Sequence, residues 1–416
     1  MTDSDISAEA AASSHPHRWV MLASIAFLYA CFGLTVVSLA PLVGPIRQDL
    51  GLTNSQFGSV MGAWPLVYIF FAVPCGALLD RVGARRAIGL GCVGVALSLA
   101  MRSIATDHVS LFLAVAVFGV CGPLVSVGAP KVIAQWFSGK DRGFAMGIYF
   151  AGNSIGIIAV LSLTNSVAMP LAGGNWRTVL LYYAGLVLTS GILWLIASSH
   201  RANRELESEF AAEPRRSQFS VFGELLSLPA IRIILVMSVG MFFFNHSLNN
   251  WLPEILRDGG MDAVTAGYWS SIPTLVGIAA ALTIPRMAIP ERRYAILAVL
   301  ILSGMTASLL LHLEQGGGLV LALLLQGLTR GTIGSIIVLI LMETKGVGSR
   351  AMGAAAGLYF SVGEVGGVLG PLTVGMLSDF TGGFSAPLFL LTGVTGFMFV
   401  MLGLLWRINR NAIAAD

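Results

Sequence analysis

Twelve apolar stretches, each long enough to cross a lipid bilayer, constrain this chain more than any other feature. A hydrocarbon core needs about 20 apolar residues per spanning helix. The sequence supplies such runs at 19–43, 57–79, 86–104, 109–133, 144–169 and 178–197, then at 231–252, 265–284, 295–313, 319–341, 351–377 and 386–406. Only 11% of residues are charged, against about 25% in soluble domains. A soluble chain of this size could not cover its surface with so few charges. An ordinary soluble enzyme, a secreted disulfide scaffold and a disordered chain are therefore excluded. The class expected is all-α integral membrane, with twelve spanning helices in two pseudo-symmetric six-helix bundles.

The polar segments divide the chain. Residues 1–18 form a polar tail expected to be disordered, without the basic n-region of a signal peptide. The bundles are placed at 19–197 and 226–407. Between them, 198–225 is the longest polar stretch and reads as a linker, and 408–416 is a second tail. With the N-terminus inside, nineteen of the 24 Lys and Arg residues fall on inner segments. Arg47, Arg102, Arg177 and Arg257 fall outside, and Arg330 lies within a run. This asymmetry puts both termini on the cytosolic side of a cell membrane, the inner membrane in a bacterium.

The halves resemble each other. Asp49-Leu-Gly51 with Gly58 matches Asp258-Gly-Gly260 with Gly267 at an offset of 209. Tyr149-Phe150 with Gly156 matches Tyr359-Phe360 with Gly366 at an offset of 210. Such matches suggest a duplicated six-helix unit. Parallel repeats of this kind place a substrate site near the midplane between the halves.

After the second run the chain reads Gly76-Ala-Leu-Leu-Asp80-Arg81-Val-Gly83-Ala-Arg85-Arg86. Gly83 permits a tight turn, the arginines suit the inner headgroups, and Asp80 suits the positive N-terminus of a neighbouring helix. The pattern resembles the loop signature of the major facilitator superfamily at every specified position, and the size, span count and repeat extend the resemblance over the whole chain. The resemblance implies a secondary transporter that works by alternating access, is usually monomeric and is no enzyme. It also implies a gate at Asp80, Arg81, Gly83, Arg85 and Arg86, with Asp80 meeting helix 11 near Ala351. The equivalent loop at 284–293 keeps the basic pair but lacks the Asp and Gly, so gating by this device is expected on one side only.

Ionisable groups inside the runs carry the chemistry. Arg330 and Glu364 each lie 17 residues from Val347, at similar depth on antiparallel helices. A charge at the bilayer centre costs about 2.5–3.5 kcal/mol and normally faces a partner or a cavity. Two readings stay open: an internal ion pair, or Arg330 facing an anionic substrate with Glu364 coupling protons. In helix 7, Asn245 and Asn249 share one face, while His246 and Asn250 share the next. Together with Arg330, Tyr29 and Asn153, these four are the candidate substrate contacts. The Asn250-Trp-Leu-Pro253 segment weakly resembles the cyanate-permease-like branch of organic-anion carriers.

Other motifs lead elsewhere. Gly152-Asn-Ser154-Ile-Gly156 and Gly89-Leu-Gly91-Cys-Val-Gly94 mimic a hydrolase elbow and a dinucleotide fingerprint, but both lie inside apolar helical runs. Glycines four apart, at 58/62, 143/147, 152/156, 353/357 and 366/370, read as close helix packing. Cys31, Cys75, Cys92 and Cys121 have no metal-ligand spacing, and no metal or cofactor is expected. A net charge of +3 gives nucleic acid no electrostatic support. The partners expected are the bilayer, a small organic anion or metabolite, and protons. The alternatives are a proton-driven efflux carrier for hydrophobic or cationic compounds, and a transporter-like receptor that binds without transport.

The topology is directly testable. In a background with the four native cysteines replaced by Ala, single cysteines at Ser208 and Asp262 should label from opposite sides of the membrane. Labelling of both by an impermeant reagent outside intact cells would refute the twelve-span arrangement.

Overall fold

A chain that must satisfy its own backbone polar groups in hydrocarbon has to be helical or a closed barrel. The computed structural model describes residues 15–201, 203, 219–313, 316–344, 347 and 352–414. Among the described residues there are no strands. Twelve helices are long and apolar enough to cross a membrane. They are α1 Arg18–Val37, α2 Asn54–Val82, α3 Ala84–Ser103, α4 His108–Trp136, α5 Gly139–Leu163 and α6 Trp176–Ala197, followed by α7 Pro229–Asp258, α8 Ala263–Met287, α9 Arg293–Leu310, α10 Gly317–Glu343, α11 Met352–Thr381 and α12 Ser385–Ala414. The chain is a multi-pass membrane protein.

Local chemistry sets the ends. A helical turn around Pro41 and the helix Val43–Leu50 extend α1 to Gly51, which closes it at φ 64°. Gly83, at φ 84°, makes the turn from α2 to α3. Asp107 starts α4 with a reciprocal capping box to Ser110, and these hydrogen bonds hold its carboxyl below the usual range. Asp262 caps α8 through the N–H groups of Val264 and Thr265, again lowering its pKa. On α3, Leu90, Val93 and Leu97 are each more than half exposed, while Ile88, Cys92, Val95 and Leu99 are buried. An apolar outward stripe of this kind belongs against lipid.

The described chain packs as two units, residues 1–51 with 66–215 and residues 52–65 with 216–416. Within the first unit α1 lies along α5, and α3 lies between α4 and α6. Within the second, α7 lies along α11, and α9 lies between α10 and α12. The same pairings recur six helices apart, as the duplication requires. Tyr149 and Tyr359 are both buried, and Phe150 and Phe360 beside them are both exposed, so the motif keeps its register in both units. Part of the expected linker is helical, at Phe219–Ser227. Residues 204–218, like 1–14 of the tail, lie outside the described residues.

Glycine spacing predicts packing only in part. A Cβ at Gly152 or Gly156 would overlap the carbonyl oxygens of Ala26 and Ala30 on α1. One at Gly366 would overlap that of Val239 on α7, and one at Gly370 would stand 2.5 Å from that of Phe243. Gly58 and Gly62, at the start of α2, approach Pro371 and Val368 of α11 in the same way. Among the described residues, Gly143, Gly147 and Gly357 have nothing within 4 Å, so identical spacing there does not mark a helix contact.

One charged residue departs from expectation. Arg102, expected in an outer loop, is 1% exposed. The helix continues through it, and its long side chain turns back to donate to the Thr35 carbonyl (3.3 Å) and Ser38 Oγ (2.8 Å), over the ring of Phe118. Lys131, near the end of α4, bonds Asp80 at 2.6 Å.

The glycine contacts predict a graded response. Gly156→Val should destabilise the protein by about 1–3 kcal/mol, the usual range for overpacking. Gly143→Ala should leave thermal stability unchanged or raise it. Equal losses of Tm in the two variants would contradict the packing described.

Candidate membrane-embedded polar site

Helix α7 is apolar for about three turns, from Ile233 to Phe244 with Ser238 alone polar, before it reaches Asn245-His246-Ser-Leu-Asn249-Asn250. Its helical repeat puts Asn245 and Asn249 one above the other, and Asn249 Nδ2 donates to Asn245 Oδ1 at 3.0 Å. Arg330, midway along α10, lies against this stripe. Its Nε donates to Asn245 Oδ1 at 3.3 Å, and its Nη2 donates to Asn249 Oδ1. A neutral amide oxygen satisfies a guanidinium N–H without cancelling its charge. Among the described residues no carboxylate is within ion-pair distance of Arg330. The Arg330–Glu364 ion pair that equal depth permits is not formed. Behind Arg330, a cavity no larger than a water molecule lies among Met241, Asn245, Thr329 and Thr395, so an organic ligand would need to reach Arg330 from another side.

Glu364 pairs with a different partner. It lies midway along α11, 8% exposed, with Oε2 3.7 Å from Nδ1 of His246. The imidazole lies near Trp64 and Phe242, at ring-centroid distances of 5.4 and 5.7 Å. Gly367, one turn beyond Glu364, leaves room for the two groups to meet. Asn250, expected beside His246 as a contact, is buried and donates to the His246 carbonyl at 2.9 Å, so its amide is used within its own helix.

The remaining candidates belong to the first unit. Tyr29 stacks on Tyr149 at 3.9 Å between ring centroids and on Phe32 at 5.2 Å. The Asn153 backbone and side-chain oxygens close on Gly33, where α5 crosses α1. At the loop after α2, Arg81 and Arg86 are exposed. Arg85 reaches the Leu195 carbonyl at 3.5 Å. Asp80 takes its bond from Lys131. Ala351, where Asp80 was expected to find a helix N-terminus, lies outside the described residues.

Sequence reasoning missed Asp379. Its carboxylate accepts from the backbone N–H groups of Asn54 and Ser55 (2.9 and 2.6 Å) and from Ser55 Oγ (2.5 Å), capping α2. The signal was available: an acid at the end of a spanning run, and an Asn-Ser pair opening another. Nothing in the sequence joined the two.

Comparison with known proteins agrees with this architecture. A family model for the Major Facilitator Superfamily matches residues 25–371. The chain is a membrane transporter, and it belongs to the Major Facilitator Superfamily. It is 27% identical over 397 residues to the uncharacterized transporter YycB of Bacillus subtilis, covering 91% of this chain and 92% of that protein. It is 30% identical over 245 residues to a probable L-galactonate transporter of Escherichia coli, covering 56% of this chain and 53% of that one. A quinolone resistance transporter of Acinetobacter baumannii is 26% identical, with 91% and 90% covered. Other relatives are named as transporters of tartrate and of galactarate/D-glucarate. The crystal structure of the nucleoside transporter NupG superimposes with a TM-score of 0.74 at 14% identity, covering 94% of this chain and 99% of that one. At that identity the likeness concerns the fold alone.

The two asparagines should differ in consequence. Asn249→Ala removes an acceptor from a half-buried cation and should cost about 1.5–3 kcal/mol; Asn250→Ala removes a neutral bond and should cost about 0.5–1.5 kcal/mol. Thermal unfolding of the two purified variants checks the order, and the reverse order would contradict the Arg330 arrangement.

Proposed function

We propose that this transporter carries small hydroxylated organic acids, of the kind named for its galactonate, tartrate and glucarate relatives, together with protons. Arg330 binds the substrate carboxylate, Asn245 and Asn249 hold the guanidinium and offer amides to the hydroxyls, and Glu364 takes the coupling proton. The protein exposes its site alternately to the two sides of the membrane, with Asp80, Arg81, Gly83, Arg85 and Arg86 as the gating loop. Both termini are cytosolic, the location is the cell membrane, and the working unit is a monomer. The observation that carries this reading is the positive charge of Arg330, held within a membrane span by neutral amides alone among the described residues. Uncompensated charge is costly there, and an incoming carboxylate relieves it.

A relative named for quinolone resistance supports a second reading, efflux of hydrophobic or cationic compounds with Glu364 as the cation site. The charge on Arg330 weighs against it, because a cation would be repelled where an anion is drawn.

Proteoliposomes loaded with labelled galactonate or tartrate separate the readings. Arg330→Gln should weaken substrate affinity at least ~30-fold, since removing one member of a buried charge pair costs about 2 kcal/mol or more. Glu364→Gln mimics the protonated acid, so counterflow exchange should persist while accumulation driven by a pH gradient is lost. The double variant should combine both defects. Restored accumulation in the double would instead identify a structural ion pair. Uptake of neither acid, with pH-driven export of a cationic dye, would favour the second reading.

A further inference from the structure

We propose that His246 is the proton partner of Glu364 rather than a substrate contact, and that the coupling proton is held by the pair, in a gap that Gly367 keeps open. This deepens the reading above and rests on it for its role in transport, although the pairing can be tested without transport.

The geometry carries the argument. Nδ1 of His246 and Oε2 of Glu364 are both buried, and neither has a hydrogen-bond partner. They face each other at 3.7 Å, so a small side-chain rotation brings them to bonding distance. A Cβ at position 367 would overlap Nδ1 and stand 2.5 Å from Oε2. Any residue other than glycine would therefore push between the two groups. Two buried polar atoms aimed at each other across a space that only glycine leaves free make a built site.

The chemistry follows from what each atom can do. A carboxylate alone in apolar surroundings has no donor to satisfy it, and such a group is costly to deprotonate. His246 supplies that donor. In the unloaded state, Nδ1–H of a neutral imidazole donates to the Glu364 carboxylate, and the pair carries one negative charge. One proton taken from solvent then makes the pair neutral, either as imidazolium with carboxylate or as imidazole with carboxylic acid. The same hydrogen bond joins the two groups in every state, so no polar atom is stranded when the proton arrives or leaves.

Other charges around the pair are committed elsewhere or distant along their helices. On α10, Arg330 is bonded to Asn245 and Asn249, and Glu343 lies at the helix end, paired with Arg293 of α9. On α7, Glu254 pairs with Arg257, while Arg232 and Asp258 occupy its ends. On α11, Asp379 is bonded to Asn54 and Ser55, and the other titratable group is the buried Tyr359. The first turns of α2, residues 54–65, bring Trp64 and no ionisable group. In α8 and α12 the charged groups, Arg286, Arg407 and Arg410, lie near the helix ends, and Tyr268 lies near the start of α8. Among these groups Arg330 is the remaining influence on the pair. Its positive charge links substrate binding to proton uptake, since a carboxylate that neutralises Arg330 makes the loaded, neutral pair easier to hold.

The test has two arms. In proteoliposomes with labelled galactonate, His246→Phe and Gly367→Ala should both behave like Glu364→Gln, keeping counterflow exchange but losing pH-driven accumulation. His246→Gln keeps an amide donor and should restore part of the accumulation and move its pH profile. Weakened exchange affinity in His246→Phe with an unchanged pH profile would make His246 a substrate contact and overturn the proposal. The second arm needs no ligand. In detergent-solubilised protein with 15N-labelled histidine rings, the His246 signal, assigned by its loss in His246→Gln, should titrate in two steps in the wild type. In Glu364→Gln it should titrate in one step, with the midpoint displaced by about one pH unit or more, as a coupled pair requires. Identical curves would overturn the proposal. Two-step behaviour without proton-driven uptake in the wild type would leave the pair standing and refute the coupled-transport reading instead.

Discussion

Hydrocarbon offers no hydrogen bonds, and polar groups within the membrane spans of this protein depend on other parts of the chain for theirs. The backbone meets that demand by being helical. The side chains meet it in distinct ways. Arg102 uses a backbone carbonyl and a serine hydroxyl. Arg330 uses two asparagine amides. Asp379 uses the free N–H groups at the start of a helix. Glu364 has a histidine within reach but not yet bonded. None of these partners is an opposite fixed charge, so Arg102, Arg330 and Asp379 are held by neutral dipoles that fill their hydrogen-bonding capacity partly or wholly.

Close helix approach makes these arrangements possible, and α11 carries most of it. Gly366 and Gly370 bring its backbone against α7, and Gly375 brings it against Asn54 at the start of α2. The indole of Trp251 donates to the Pro371 carbonyl at 3.0 Å, fixing the register of α7 on α11. That register places His246 opposite Glu364 and also places Asp379 over the first N–H groups of α2. A slip of one residue would turn Glu364 by about 100° away from His246. One interface thus positions two polar contacts more than a dozen residues apart along α11.

Much of the fold is legible in the sequence because membrane spans are written in composition. Twelve runs, the six-plus-six division and the repeat follow from apolar length and from matched motifs such as Tyr149-Phe150 and Tyr359-Phe360. The helical spacing of Asn245 and Asn249 also identifies their shared face. What is not legible is the choice of neighbours. Equal depth allowed Arg330 to meet Glu364, but depth says nothing of direction around the helix axis. The structure turns Arg330 to α7 and Glu364 to His246. Asp80 met Lys131 for a similar reason: a charge at the end of a span takes the nearest opposite charge, and sequence does not rank distances across a bundle. Glycine spacing misled in the same way at Gly143 and Gly147, where the face exists but, among the described residues, nothing lies within 4 Å of it.

The two arginines inside spans, Arg102 and Arg330, show what separates a structural cation from one suited to an anionic ligand. Both lack a carboxylate partner among the described residues, so charge alone does not distinguish them. Arg102 is 1% exposed, and its guanidinium is packed against Phe118 and the end of α1. A ligand could reach it only by unpacking that corner. Arg330 is partly exposed, and its partners are side-chain amides on one face of a neighbouring helix. Amides can rotate to share a guanidinium with an incoming carboxylate, whereas a backbone carbonyl such as that of Thr35 is fixed by the helix. An exchangeable charge needs a medium that raises its attraction for an anion and partners that can yield without leaving it bare. Among the described arginines that lie inside spans, Arg330 meets both conditions and Arg102 meets only the first.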